Sequence, residues 1–312
     1  MLMVLDFLLA LLALPASAIL KIIRRLGVQH LSLSKKVLCW VGVFPVRRHY
    51  YEPLFDCSVL KHPLSEARRL PGINWNTEDQ VSLLSQFDFS GELEDVPVCR
   101  PAGKLEFYRD NLNFGPGDAE SWYNVIRCFA PRRIIEIGSG NSTLMARRAI
   151  ARNCVESRTG SCEHICIEPY EMPWLEQIGV KVIRSKVEEV DRDIFSTLCE
   201  NDILFIDSSH VIRPQGDVLV EVLDILPRLR SGVVVHIHDI FSPHDYPAEW
   251  VCQRVRFWNE QYLLEAFLSS NSQYKIILAL NFLHHFHYEA LKSKCPFLSP
   301  EHEPGSFYIQ RT

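Results

Sequence analysis

The sequence contains no CxxC pair, no internal repeat, no low-complexity stretch and no excess of basic residues. Each absence excludes a class. Lysine and arginine total 33 against 38 aspartate and glutamate, for a net charge of -5. Nucleic-acid binding normally leaves a basic footprint, so no nucleic-acid partner is expected. The 10 cysteines are spread over 312 residues. A disulfide framework belongs to short, cysteine-dense secreted chains. Free thiols in a reducing compartment are therefore expected, with Cys166, inside an apolar run, a small core residue. The N-terminus also lacks the positive n-region that precedes the apolar run of a cleavable signal peptide.

An apolar run is nevertheless there. Residues 1–20 are interrupted only by Asp6, Pro15 and Ser17, and Lys21, Arg24 and Arg25 follow. About 20 apolar residues can span a bilayer as a helix. The basic cluster behind them places the remainder of the chain in the cytoplasm by the positive-inside rule. A membrane-anchor helix over 1–25 is expected. Ala16-Ser17-Ala18 resembles a cleavage site, so a removed signal stays open, as does a soluble or interfacial helix. The apolar fraction of 47% and charged fraction of 23% suit a large globular core.

Residues 26–105 are punctuated by Pro53, Pro63, Pro71, Gly72, Pro97 and Pro101 and read as a cap of short helices and loops. From residue 106 the pattern changes. Short apolar runs at 133–137, 164–168, 180–184, 202–206, 233–238, 275–280 and 306–310 predict strands. Helices are predicted at 118–130, 142–152, 172–178, 187–199, 215–229 and 250–270. Buried strands alternating with helices imply βαβ units. The expected fold is α/β: a Rossmann-like, doubly wound, mostly parallel seven-stranded sheet over 106–312, whose ligand lies at the carboxyl ends of the strands.

Three motifs fall at such ends. Glu136-x-Gly138-x-Gly140-x-Ser142 follows a predicted strand and opens a helix. Its glycines allow a tight turn and close approach of a ligand to the backbone. The loop is not the dinucleotide fingerprint, and Glu136 argues for a ligand bearing a positive amine. Glu168 ends the next strand, where a carboxylate can accept both hydroxyls of a ribose. Asp207-x-x-His210 and His238-Asp239 end two further strands. Together they could hold a divalent metal: oxygen ligands suit Mg2+, and His238 also admits Mn2+.

On these residues the chain resembles the class I S-adenosylmethionine-dependent methyltransferases. The likeness rests on EIGSGNST at 136–143, CIEPY at 166–170, ILFIDSSH at 203–210 and VVVHIHDI at 233–240. It implies that Gly138 and Gly140 frame the methionine part of the cofactor, Glu168 holds the ribose, and Val187 and Glu188 lie near the adenine. Ser139, Asn141, Ser142 and Asp207 complete the expected cofactor set. Ser142 stands where the usual third glycine would be. The Asp207/His210/Asp239 layout is similar to metal-dependent small-molecule and sugar O-methyltransferases. Carried over, Asp207 and Asp239 would be metal ligands and His210 the general base, with His238 where that subgroup has an acidic residue.

The expected activity is O-methylation of a small molecule or glycan, membrane-linked through the N-terminal helix. N-methylation stays open. No NPPY-type tetrad follows a strand, against a nucleic-acid acceptor. Two other classes compete: a tethered, non-catalytic cofactor- or partner-binding module, and a metal-dependent hydroxylase- or hydrolase-like enzyme. Whether Asp207, His210 and Asp239 converge beside the cofactor loop discriminates among them. Beyond these, the turn-rich loop 241–247 with His244 and Asp245 falls where substrate sites are built, and 108–114 could close over the cofactor. His284-His285-Phe286-His287-Tyr288 looks metal-like by composition, though its position suggests a rim connection.

Overall fold

The computed structural model describes residues 1–54, 56–156, 158 and 160–312. The chain divides into two compact units, Met1–Pro63 and Leu64–Thr312.

The first unit opens with α1 (Leu2–Leu26), 25 residues that include Pro15 and bury none of their side chains. At 1.5 Å per residue it is about 37 Å long, more than the ~30 Å of a hydrocarbon core. It is long and apolar enough to cross a membrane by length and composition. A second helix, α2 (Ser32–Val41), ends on Gly42 in the left-handed conformation, a common stop signal. Arg24 and Arg47 both pair with Glu52.

The second unit contains α3 (Thr77–Ser85), α4 (Asp118–Phe129), β1 (Arg133–Ile137), α5 (Asn141–Val155), β2 (Glu163–Ile167), β3 (Lys181–Ile183), β4 (Ile203–Ile206), α6 (Asp217–Val220), β5 (Val234–Ile237), α7 (Glu260–Leu268), β6 (Tyr274–Ala279), α8 (Leu280–Phe286), α9 (Tyr288–Lys292) and β7 (Phe307–Arg311). The sheet has seven strands in the order β3-β2-β1-β4-β5-β7-β6. β1 to β5 pair in parallel, and β7 runs antiparallel between β5 and β6. This is the expected Rossmann-like sheet.

Period-two alternation sends the strand residues into two cores. Ile165, Ile135, Leu204, Val235 and Ile309 stand in register across one face. The opposite face carries Cys166, Glu136, Phe205, His236 and Tyr308 in register. Ile134, Ile203, Phe205 and Val234 on that face pack with Trp122 and Ile126 of α4 and Met145 of α5. Leu84, Phe87, Leu93 and Val96 join the same core, so residues from Leu64 onward belong to the compact unit of the sheet.

The helices depart from the sequence reading more than the strands do. The helix expected at 187–199 is two 3-10 turns, Val187–Glu189 and Arg192–Thr197. Between them Asp191 accepts from the Asp193 N–H, a local bond that competes with the helix. The helix expected at 215–229 becomes α6, a π turn and a 3-10 turn entered at Pro227, which lacks an N–H to donate. The 172–178 helix is reduced to Leu175–Gln177. That expected at 250–270 is a π turn, Glu249–Gln253, then α7 after an irregular stretch in which Val255 has φ 53°. The free-thiol reading also needs correction. Cys39, Cys99, Cys128, Cys154, Cys162, Cys166, Cys199 and Cys295 are free, whereas Cys57 and Cys252 are disulfide-bonded.

Candidate cofactor and catalytic site

The loop after β1 is built around a turn that only glycine can make. Gly138 has φ 77°, and a Cβ there would fall 1.9 Å from the Asp207 carbonyl oxygen. Its N–H donates to the Ile167 carbonyl at 3.1 Å. α5 starts three residues later. The Thr143 hydroxyl accepts from the Gly140 N–H at 3.0 Å and donates to Glu136 Oε2 at 2.6 Å. Trp122 Nε1 donates to the Ser142 carbonyl at 3.1 Å, fixing the first turn of α5 to α4. The helix N-terminus, with its unpaired N–H groups and positive dipole end, therefore faces the carboxyl edge of the sheet.

A cleft of about 610 Å³ lies at that edge, within the range of small-molecule sites. Gly138, Ser139, Gly140, Asn141, Ser142, Glu168, Val187, Glu188 and Asp207 all line it. Glu136 does not reach it. That side chain is fully buried, 3.1 Å from His164 Nε2, and supports the loop from beneath. Glu168 Oε1 accepts from the N–H groups of Tyr170 and Glu171, each at 2.9 Å, and Oε2 stands 3.4 Å from the Ser139 N–H. The carboxylate thus orders its own loop while facing the cleft. Asn113 and Phe114, from the segment expected to close over the cofactor, line the cleft as well. Asn141 Nδ2 donates to Asn111 Oδ1 at 3.2 Å, tying that segment to α5.

Asp207 belongs to both the cleft and a buried polar cluster. His210 Nε2 lies 3.2 Å from Asp207 Oδ1 and 3.6 Å from Asp239 Oδ2. On the other side of the ring, Nδ1 lies 2.8 Å from Glu260 Oε2. His210 and Asp239 both have φ 58°, a conformation that costs energy in non-glycine residues and concentrates at functional sites. Burial opposes protonation of His210, but the carboxylates of Asp207 and Glu260 outweigh it and hold the pKa well above 6.5. Burial works against the Asp207 anion too, yet the hydrogen bond from His210 leaves its pKa lowered. Burial raises the carboxyls of Asp239 and Glu260.

The structure groups the expected metal residues differently. One ligand atom each from Asp207, His210 and Asp239 lie within 4.8 Å of one another. His238 Nε2 is 3.6 Å from Asp239 Oδ1, and its ring packs 5.1 Å from Phe114. Glu260 was not legible as a site residue. It enters from α7, fifty positions after its partner, and no local spacing announces it. His244 and Asp245 stand apart from the cluster: His244 Nδ1 bonds Asn281 Oδ1 at 2.7 Å, and Asp245 pairs with Arg68 at 3.1 Å.

Residues 135–240 match a family model described as a methyltransferase domain. An uncharacterized protein of Archaeoglobus fulgidus is 29% identical over 168 residues, covering 50% of this chain and 74% of that protein. Among solved structures, an O-methyltransferase from Bacillus cereus in complex with S-adenosylhomocysteine aligns with TM-score 0.40 and 13% identity, over 75% of this chain and 91% of that one. A TDP-rhamnose 3'-O-methyltransferase of calicheamicin biosynthesis aligns with TM-score 0.37 and 13% identity, over 82% and 98%. At these scores neither structure assigns chemistry to a residue here. The matched segment holds the glycine loop, Glu168, Asp207, His210 and Asp239. Over residues 135–240 the chain is thus similar to a methyltransferase domain, and that segment lies in a mostly parallel seven-stranded sheet.

Proposed function

We propose that this domain methylates a hydroxyl oxygen of a small molecule or sugar, with His210 as general base and Glu260 as its positioning residue. The observation that carries this reading is the bracketing of His210 between Glu260 and the Asp207/Asp239 pair, with Asp207 reaching into the cleft.

S-adenosylmethionine supplies an electrophilic methyl group for in-line displacement. The protein has to orient the reactants and receive the acceptor's proton. The cleft suits that cofactor: the Gly138–Ser142 loop and the start of α5 line it, and Glu168 presents a carboxylate to it. His210 in its neutral form takes the acceptor's proton at Nε2; the Asp207 and Glu260 carboxylates hold its pKa well above 6.5, so that form grows as pH rises, and Glu260 stabilises the resulting imidazolium through Nδ1. Asp207 and Asp239, with the His238 ring beside the latter, form a donor set that fits Mg2+ or Mn2+. A divalent cation held there would lower the pKa of an acceptor hydroxyl.

Calorimetric titration of the protein with S-adenosylmethionine, with and without Mg2+, tests the cofactor. Transfer of labelled methyl to a panel of sugar and phenolic hydroxyls tests the acceptor. Micromolar binding followed by transfer to a hydroxyl, lost in His210→Gln, is the expected result. Transfer to nitrogen acceptors alone would replace the O-methylation reading. No binding in either condition would favour a tethered interaction module.

The helix α1 is proposed as a membrane anchor, with the domain on the cytoplasmic side set by Lys21, Arg24 and Arg25. The disulfide bonding of Cys57 and Cys252 favours a second reading, a domain on the oxidising side of the membrane. Protease digestion of intact vesicles separates them: a cytoplasmic domain is degraded, and an enclosed one survives until detergent is added.

A further inference from the structure

The run of histidines after β6 does not reach the cofactor cleft. α8 follows β6 directly, and the Leu280 N–H donates to the Ser306 carbonyl at 3.0 Å. That bond sets the helix beside the segment leading into β7. His284 and His285 near the end of α8 are thereby brought against Glu303. One ligand atom from each of the three lies within 4.8 Å of the others.

We propose that His284, His285 and Glu303 bind a divalent transition-metal ion of the zinc class. Three observations converge on it. His285 Nε2 stands 2.9 Å from Glu303 Oε2, so an imidazole and a carboxylate already meet. His284 is only 6% exposed, and its Nδ1 has no hydrogen-bond partner. A buried, unsatisfied ring nitrogen calls for an explanation, and an ion supplies one. The third observation is an outer layer of support. Asn281 Nδ2 donates to the same Glu303 oxygen at 2.8 Å, and Asn281 Oδ1 is 2.7 Å from His244 Nδ1. An amide oxygen only accepts, so His244 carries its proton on Nδ1. Such outer-shell hydrogen bonds orient ligating carboxylates.

The donor chemistry sets the class of ion. Two imidazoles and one carboxylate are the ligand set of open-position zinc sites, and imidazole disfavours Mg2+ and Ca2+. His285 and Glu303 are partly exposed, which leaves a path for entry and room for water as a further ligand. Through Asn281 and His244, a bound ion ties α8 to the loop 241–247. This site stands independently of the proposed catalytic cluster and of its metal.

The test is Zn2+ binding by the full chain after chelator treatment and dialysis. Equivalents are counted by competition with a chromophoric chelator, and Co2+ absorption reports imidazole ligation. The wild type should bind an equivalent of Zn2+ that His285→Ala and Glu303→Gln each weaken at least tenfold. His284→Ala should remove the imidazole signature of the Co2+ spectrum. Asp239→Asn, at the other cluster, should leave this equivalent in place. Both His285 and Glu303 are partly exposed, and circular dichroism together with retained S-adenosylmethionine binding shows that those variants fold. Unchanged Zn2+ binding in folded His285→Ala and Glu303→Gln would overturn the proposal. So would loss of all Zn2+ binding in Asp239→Asn.

Discussion

The Thr143 hydroxyl links Glu136 to the glycine loop after β1, donating to Glu136 Oε2 at 2.6 Å while accepting from the Gly140 N–H at 3.0 Å. Glu136 therefore acts below the loop rather than inside the cleft. Thr143→Val keeps the shape and removes both bonds. Leaving buried polar groups unsatisfied costs about 1–3 kcal/mol each. The variant should lose stability of that order in urea unfolding and bind S-adenosylmethionine more weakly in calorimetry, whereas Thr143→Ser should retain most of both. Equal behaviour of Val and Ser variants would show that the link does not organise the loop.

Gly138 meets the Asp207 backbone where no side chain fits. A Cβ would stand 1.9 Å from a carbonyl oxygen, and φ is 77°. Backbone cannot swing aside as a flexible side chain can. Gly138→Ala should separate β1 from β4 at the point where both feed the cleft. Overpacking of this kind costs about 1–3 kcal/mol or more. Loss of cofactor binding with a lowered melting temperature is expected; a variant that binds normally would disprove the close approach.

The strands were legible because burial on both faces leaves near-continuous apolar runs, and β1 was placed residue for residue at 133–137. The cleft lining was legible for a related reason: the glycine loop, Glu168 and Asp207 all follow a strand end and line the cleft. The helices between 187 and 270 were not. Their apolar spacing matches a helix, but Asp191, Pro227 and the left-handed Val255 interrupt it, and these are tertiary and side-chain effects. Glu260 was invisible for the same cause, since it reaches His210 only where the start of α7 meets the loop after β4, with the Asn259 N–H donating to the His210 carbonyl at 2.9 Å. The grouping of Asp207, His210 and Asp239, with His238 beside Asp239, depends on where the chain turns after each strand.

Glu168 carries two duties that substitution can separate. Its Oε1 accepts two backbone N–H groups, and the side chain also faces the cleft. Glu168→Gln keeps an oxygen for the loop but loses the charge and one acceptor toward a ribose. A roughly tenfold weaker affinity, about 1.4 kcal/mol, is expected for Gln, and no measurable binding for Ala. Isothermal titration distinguishes these outcomes. Wild-type affinity in the Ala variant would remove Glu168 from the cofactor site.

Glu120 gives the second unit a pH signature. Burial lifts its carboxyl from 4.5 to about 7, although it accepts the Gly117 N–H at 2.6 Å. The folded value lies above the unfolded one, so the fold favours the protonated carboxyl. The stability this contributes is present in full below about pH 4.5 and lost as pH rises through about 7. The difference corresponds to about 3 kcal/mol at most. Urea unfolding at a series of pH values should show wild-type stability falling across that window relative to Glu120→Gln, which cannot titrate. Parallel profiles would mean that Glu120 stays ionised throughout.

His210 and Glu260 should fail in different ways. His210→Gln removes the proton acceptor, and loss of a general base typically costs 10²–10⁴-fold in rate. Glu260→Gln leaves the imidazole in place with an oxygen still able to accept from Nδ1, but removes the charge that stabilises the imidazolium. Its loss in kcat should be smaller, on the order of 10–100-fold by analogy with orienting partners of histidine. Neither side chain lines the cleft, so S-adenosylmethionine affinity should stay within about twofold of wild type in both, less than 0.5 kcal/mol. Steady-state kinetics and calorimetry on the same preparations make the comparison. A fall in cofactor affinity that matches the fall in kcat would mean the cluster shapes the cleft instead of moving a proton, and His210 would then lose its role as base.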